Sequence, residues 1–303
     1  MNHDYILSCE STVDLPYSYV HGRGIEVLFY SYLVNETEYK DDMGRDPEAL
    51  PRFYGFMEKG ILPTTSQLNT YQYVEYFEEL LKQGKDILHI AFGSGMTPSV
   101  NNAWEAAELL REKYPERRLE IIDSLCSSSG YGLLTDGAAD LWDEGKSIDE
   151  VSDWVMAHRK RVHHQFYSTT LEHYRRSGRV SGAAAAIGSV LGICPVMRLD
   201  DTGHIIAYDK VRGKKNALRE TISMMEKHAN KGTDYDGKCF ICHSNCLEQA
   251  KITEAAVREH FPHINGEIRL CDIGTIIAAH CGPGTVAVFF FGDEREPDRS
   301  AKA

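Results

Sequence analysis

Apolar residues follow two rhythms along this chain. Short continuous runs over residues 5–9, 25–34, 86–92 and 119–122 end in polar turns and read as buried strands, the second as one strand or as a pair continuing to residue 39. Between them apolar positions recur at helical spacing. Over residues 71–83, Tyr73, Val74, Phe77, Leu80 and Leu81 share one face, and Gly84 is a good C-terminal stop. The pattern also predicts a short helix opened by Pro47 and running to residue 59, one over 99–114 that Pro115 ends, and a glycine-bearing one over 127–143. Ser147 and Glu150 form a capping box that starts a helix through His158. Strand and helix alternate with short connections, which predicts a parallel sheet with helices on its faces. Ligands of such sheets bind beyond the carboxyl ends of strands, where Ser94 and Ser124 stand.

The second half changes pattern. Residues 166–169 are strand-like, and a small-residue segment, 182–188, follows. Residues 195–199 and 205–211 flank Asp200-Asp201-Thr202-Gly203, a hairpin turn. A helix over 214–229, a strand over 238–243, a helix over 245–260 and strands over 267–271 and 285–291 complete the chain. At 303 residues the chain is long for one core. The expected fold is α/β with two domains: residues 1–162 as a three-layer αβα unit with a mainly parallel sheet, and residues 163–303 as an α+β unit with a mixed or antiparallel sheet.

Composition narrows the function. With 42% hydrophobic and 26% charged residues the chain fits a globular protein, and its formal net charge of −12 disfavours both nucleic acid and an anionic bilayer as partner. Two basic stretches, 158–161 and 210–219, break that trend and read as solvated faces or a docking surface. No stretch approaches the roughly 18 apolar residues of a membrane helix, and the run after Asp4 is too short and polar for a signal peptide. The expected location is therefore cytoplasmic, with reduced thiols. The eight cysteines are scattered and form no disulfide framework.

Three polar loops at the edges of apolar runs carry the candidate chemistry: Pro63-Thr64-Thr65-Ser66-Gln67, Gly93-Ser94-Gly95 and His280-Cys281-Gly282-Pro283-Gly284. They offer hydroxyl, backbone N–H and imidazole donors and no carboxylate, so side by side they would hold an anion. Each has a plainer reading alone. The hydroxyl run precedes a helix and would cap it. Gly93-Ser94-Gly95 fails the hydrolase elbow pattern, because residue 92 is Phe and residue 96 is Met. Ser94, His280 and Asp123 still leave a serine hydrolase or acyltransferase as the alternative. His280 leaves the apolar run of residues 276–279 at a sharp turn, as a carboxylate donor or a structural histidine.

Cys239-Phe240-Ile241-Cys242-His243 matches a haem-attachment pattern, and Cys246 adds a metal ligand. On a strand, however, Cys239 and Cys242 point to opposite faces, so core cysteines are the default and no metal is expected. Arg179 and Arg212 each stand beside a glycine and suit a phosphate or a partner, or else plain surface.

Taken together these segments resemble the DegV family of fatty-acid-binding proteins, in order along nearly the whole chain. Glu10-Ser11-Thr12-Val13-Asp14-Leu15-Pro16 resembles its Asp-Ser-Thr-x-Asp-Leu-Pro signature, with Glu10 in place of Asp. Residues 63–67, 89–103, 170–180, 210–212 and 273–284 resemble five further segments, with Gly93 in place of the first Ser of a pair and Thr97-Pro98-Ser99 in place of Ser-Gly-Thr. The resemblance implies a bacterial protein with no catalytic activity of its own and no cofactor, holding a long-chain fatty acid in a buried tunnel. Thr64, Thr65, Ser94, Gly95 and His280 would surround the carboxylate, and Ala183, Ala186, Ile187 and Val190 would line the tunnel. It further implies a fatty acid kinase as partner, which phosphorylates the presented carboxylate, with Arg179 and Arg212 near the mouth.

Overall fold

The central strand of the first sheet, β1 (Tyr5–Glu10), is buried at all six positions, because helices cover both faces of the sheet around it. It lies between β2 (Glu26–Leu28) and β6 (Asp86–Ala91), and β7 (Leu119–Asp123) completes the order β2-β1-β6-β7, every pair parallel. These elements come from a computed structural model that describes residues 3–180, 192–266 and 268–298. Helices α1 (Tyr17–Gly22), α2 (Ala49–Glu58), α3 (Thr70–Leu81) and α4 (Ser99–Lys113) fall between these strands. Pro47 precedes the N-cap Glu48 and so stands outside the α2 helix that it was expected to open.

The second sheet has the order β10-β9-β8-β13-β11-β12. Its strands are β8 (Val162–Tyr167), β9 (Ile193–Leu199), β10 (Ile205–Arg212), β11 (Phe240–His243), β12 (Arg269–Asp272) and β13 (Val286–Phe291). Only β11 and β12 pair in parallel; the rest are antiparallel. Side chains alternate across it. Val286, Val288 and Phe290 enter one core under α8 (Lys214–His228) and α9 (Leu247–His260), while Ala287 and Phe289 enter the other. Cys239 and Cys242 separate in the same way, one in each core.

Helix α5 (Ser128–Asp143) lies between the two sheets and is buried at every position from 128 to 139. Its glycines make this approach feasible: a Cβ at Gly130 would lie 2.3 Å from His164 Nε2, and one at Gly132 would lie 2.6 Å from the Val13 carbonyl. Asp136 on α5 pairs with Arg23 at 2.7 Å and with Lys238 at 2.5 Å, which ties the two halves of the chain. Helix α6 (Ile148–His158) starts at the capping box of Ser147 and Glu150.

Three segments depart from expectation. The apolar run over 25–34 splits between sheets: Tyr30 donates its N–H to Ser11 Oγ and accepts from Asp41 N–H, so the chain turns. Beyond that turn β3 (Ser31–Val34) joins β4 (Thr37–Lys40) and β5 (Thr64–Thr65) in a small antiparallel sheet, order β4-β3-β5. The hydroxyl run is thus an edge strand and not a cap; α3 is capped by Asn69, reciprocally with Gln72. Residues 276–279 are helical, within α10 (Thr275–Cys281), bounded by Gly274 and by Gly282 at φ +66°. Four apolar residues carry no period that separates strand from helix. Ala183, Ala186, Ile187 and Val190 lie outside the described residues.

Candidate functional site

Where the first sheet's loops meet the second sheet there is a hollow of about 820 Å³, counting its open mouth. Its walls are mostly apolar: Tyr30, Phe92, Phe166, Leu199, Ile205, Ile273, Ile276 and Phe289 among them. Polar groups gather at Thr65, Ser66, Gln67, Arg179 and His280, and at Thr97, Ser127, Ser128 and His164. No carboxylate lines it among the described residues.

Thr65 and His280 meet directly. Thr65 Oγ1 and His280 Nε2 share a hydrogen bond of 2.7 Å, although 215 residues separate them. Strand alternation selects Thr65 over Thr64: the pair Tyr32↔Thr65 and Leu33↔Thr64 sends successive side chains to opposite faces, and Thr64 is exposed. His280 rides on the last turn of α10, and its Nδ1 is buried with no partner among the described residues. Burial, and then the cations Arg179 and Arg176, push its pKa down to about 4, so the ring is neutral at pH 7.

Arg179 reaches this wall through α7 (Glu172–Arg176), which packs on α10 through Arg176 Nη2 donating to the Ala279 carbonyl at 3.1 Å and Ser177 Oγ donating to the His280 carbonyl at 3.4 Å. The Arg179 guanidinium donates to the Ser177 carbonyl at 2.5 Å and forms no ion pair among the described residues. Burial lowers its pKa. A half-buried, unpaired cation beside a neutral imidazole and a hydroxyl has no anion of its own to neutralise it.

Ser94 and Gly95 stand outside the lining. Ser94 is exposed and its N–H donates to Asp123 Oδ1 at 3.0 Å; a Cβ on Gly95 would lie 2.4 Å from Gly203. The loop is spent on crossing the Asp123 turn and seating the hairpin tip, and the residues it does present to the hollow are Met96 and Thr97. The grouping of Ser94, His280 and Asp123 is not a triad in this geometry: Asp123 accepts from the N–H groups of Ser94 and Leu125, and His280 is bound to Thr65. Arg212 is exposed at the end of β10, away from the lining. Sequence reasoning missed Ser127, Ser128 and His164. The serine run opening α5 just past β7 was the available signal, since the N-terminus of a long helix attracts an anion.

The comparisons with known proteins agree in one direction. The sequence model described as "Uncharacterised protein, DegV family" matches residues 7–293. A DegV domain-containing protein of Clostridium perfringens is 38% identical over 294 residues, which cover 97% of this chain and 99% of that protein. One from Streptococcus pyogenes is 30% identical over 289 residues, 95% of this chain and 98% of the relative. Among solved structures, a DegV family protein from Thermus thermophilus, described by its fatty acid binding, superposes with a TM-score of 0.83 at 24% identity, over 95% of this chain and 99% of that one. A stearic-acid-binding protein from Eubacterium ventriosum superposes with a TM-score of 0.84 at 20% identity, over 95% and 98%. At these identities the two structures bear on the fold alone.

Proposed function

The chain belongs to the DegV family, and on that premise we propose that it binds one long-chain fatty acid in the hollow and presents its carboxylate at the Thr65–His280 end. The observation that carries the reading is the hydrogen-bonded pair of Thr65 and His280 on an apolar hollow with Arg179 unpaired beside it. The fatty-acid binding described for the Thermus thermophilus and Eubacterium ventriosum proteins supports it.

The energetics suit such a ligand. Burying about fourteen methylenes at roughly 0.8 kcal/mol each gives on the order of 11 kcal/mol before the costs of association. A dry, unpaired carboxylate would cancel much of that. Hydrogen bonds to a charged group contribute about 1.5–3 kcal/mol each and fix which end faces out. With the ring neutral, His280 Nε2–H donates to Thr65 Oγ1 and orients it, the Thr65 hydroxyl donates to the carboxylate, Arg179 supplies the charge, and Ser94, whose hydroxyl has no partner among the described residues, is a donor at the rim. Arg179 at the lining and the exposed Arg212 then form the face offered to a fatty acid kinase, whose nucleotide would transfer a phosphoryl group to the carboxylate oxygen. The chain itself supplies binding and orientation, in a cytoplasmic setting.

Native mass spectrometry of protein purified from a lipid-containing host tests the first step. A retained mass in the C14–C18 fatty-acid range, lost on delipidation and regained with added acid, is expected. A chain that takes up no fatty acid and hydrolyses an ester probe overturns the reading.

A further inference from the structure

Outside the hollow, three metal-ligating side chains converge at the edge where β8, α8 and the end of β13 meet. His163 is the second residue of β8, His228 the last of α8, and Asp293 lies two residues past β13. We propose that His163, His228 and Asp293 form a binding site for a zinc-class divalent ion that staples the end of the chain to the second sheet.

The distances fit that class. His163 Nε2 and His228 Nδ1 each lie 3.0 Å from Asp293 Oδ1, and all three ligand atoms lie within 4.8 Å of one another. Tetrahedral zinc with bonds of about 2.0–2.1 Å sets its ligand atoms ~3.3 Å apart, so small shifts suffice. The Asp293 carbonyl oxygen, 3.0 Å from His163 Nε2, is a further oxygen at the same place. Both imidazoles are buried, whereas the Asp293 side chain is 59% exposed, which leaves the ion an entry path from solvent.

The backbone holds the three together. Asp293 N–H donates to the His228 carbonyl at 3.1 Å, and Gly292 N–H donates to that of Arg161 at 2.8 Å. A Cβ at Gly292 would lie 2.1 Å from the His228 carbonyl and 2.9 Å from His163 Cδ2, so only glycine admits this approach.

The rest of the recess selects the chemistry. It is lined by Arg198, Lys227 and Arg295, with Glu296 as the other acid. Calcium or magnesium, held by carboxylate charge and oxygen ligands, would meet cations there. Neutral imidazole nitrogens bind borderline ions through directed bonds that depend less on net charge. The plainer account is that Asp293 accepts a hydrogen bond from each ring.

The test treats the full chain with EDTA, then with ZnCl2, and measures zinc per chain after desalting, with a diffraction data set at the zinc edge. The expected result is one retained zinc, an anomalous peak about 2.1 Å from both ring nitrogens, and affinity at least about tenfold weaker in both Asp293→Asn and His228→Gln. Thermal stability rises with zinc in the parent chain and not in the variants. No retained zinc, retention undiminished in both variants, or a peak elsewhere, at Cys246 or the His260–Glu226 pair, overturns the site. Because Asp293 is exposed, Asp293→Asn keeps the test open if His228→Gln fails to fold.

Discussion

At the residue scale the decisive pair is Thr65 and His280. Which residue types would gather was legible in the loops, because hydroxyls and an imidazole without carboxylates select an anion. Which threonine serves was not, because alternation becomes readable only once β5 is seen to pair with β3. Thr65→Val, which removes the hydrogen bond to the charged group, and His280→Gln, which takes away the ring that orients the Thr65 hydroxyl, are each expected to weaken fatty-acid binding by roughly 10- to 100-fold. Ser94→Ala, altering a rim donor, should cost less than either. Displacement of a fluorescent fatty acid measures all three, and equal losses in Ser94→Ala and Thr65→Val would contradict the assigned geometry.

Buried titratable groups give the same scale a pH signature. His163 and His280 have pKa values pushed down to about 4, and His164 lies well below its usual range, all chiefly by burial. The unfolded chain protonates near pH 6.5 and the native one does not, so these contributions are present above that pH and are lost as it falls towards 4. Asp41 works in the opposite direction. Burial raises its pKa to about 6, so the native state holds a proton that the unfolded state has released, and its contribution shrinks as pH rises from 3.8 through 6. Asp41→Asn should therefore steepen the acid loss of stability between pH 6 and 4, by up to about 1.4 kcal/mol per pH unit. Urea titrations across that window show it, and an unchanged slope would mean that Asp41 is ionised in the native state.

Elements with periodic or capped sequences were legible: α3, α4, α6, α8 and α9 fall where apolar spacing puts them, and the Ser147 box starts α6. Short or aperiodic elements were not. β5 has two residues, and α10 shows an uninterrupted apolar run with no amphipathic stripe; α5 was legible as a helix over 127–143, but its burial all round, and so its place between the sheets, was not. The position of α5 between the sheets yields a contrast between two glycines. Gly130→Ala brings a Cβ to 2.3 Å from His164 Nε2 and 2.6 Å from Phe289 Cδ1, whereas a Cβ at Gly55 on α2 meets nothing within 4 Å. Both substitutions gain about 1 kcal/mol of helix propensity. At Gly130 overpacking of about 1–3 kcal/mol exceeds that gain. Gly130→Ala is expected to be destabilised and Gly55→Ala stabilised in chemical denaturation; stabilisation of both would show that α5 does not sit tightly on the second sheet.

For the whole molecule, the two rhythms of the sequence correspond to the two sheets, but the way the halves close over the hollow depends on contacts no local pattern encodes. The tip of the β9–β10 hairpin packs on the loop after β6: Gly95 faces the backbone of Gly203 and His204, and Gly203, at φ +86°, faces the Leu125 carbonyl. Leu199 and Ile205, which flank that tip, and Met96 and Thr97, which follow Gly95, all line the hollow. The hairpin thus forms part of the wall and is seated by glycine against glycine. A Cβ at Gly95 would lie 2.4 Å from Gly203 backbone atoms, which cannot swing aside as a side chain can, so Gly95→Ala must lift the hairpin. The consequence belongs to ligand exchange more than to the head group. Dissociation of bound fatty acid should quicken several-fold in Gly95→Ala, while the Thr65–His280 contact continues to discriminate a fatty acid from its methyl ester. Stopped-flow transfer to albumin measures the first and competition with the ester the second. Dissociation as slow as in the parent chain would mean that the hairpin seat does not control the wall, and that the acid leaves by another route.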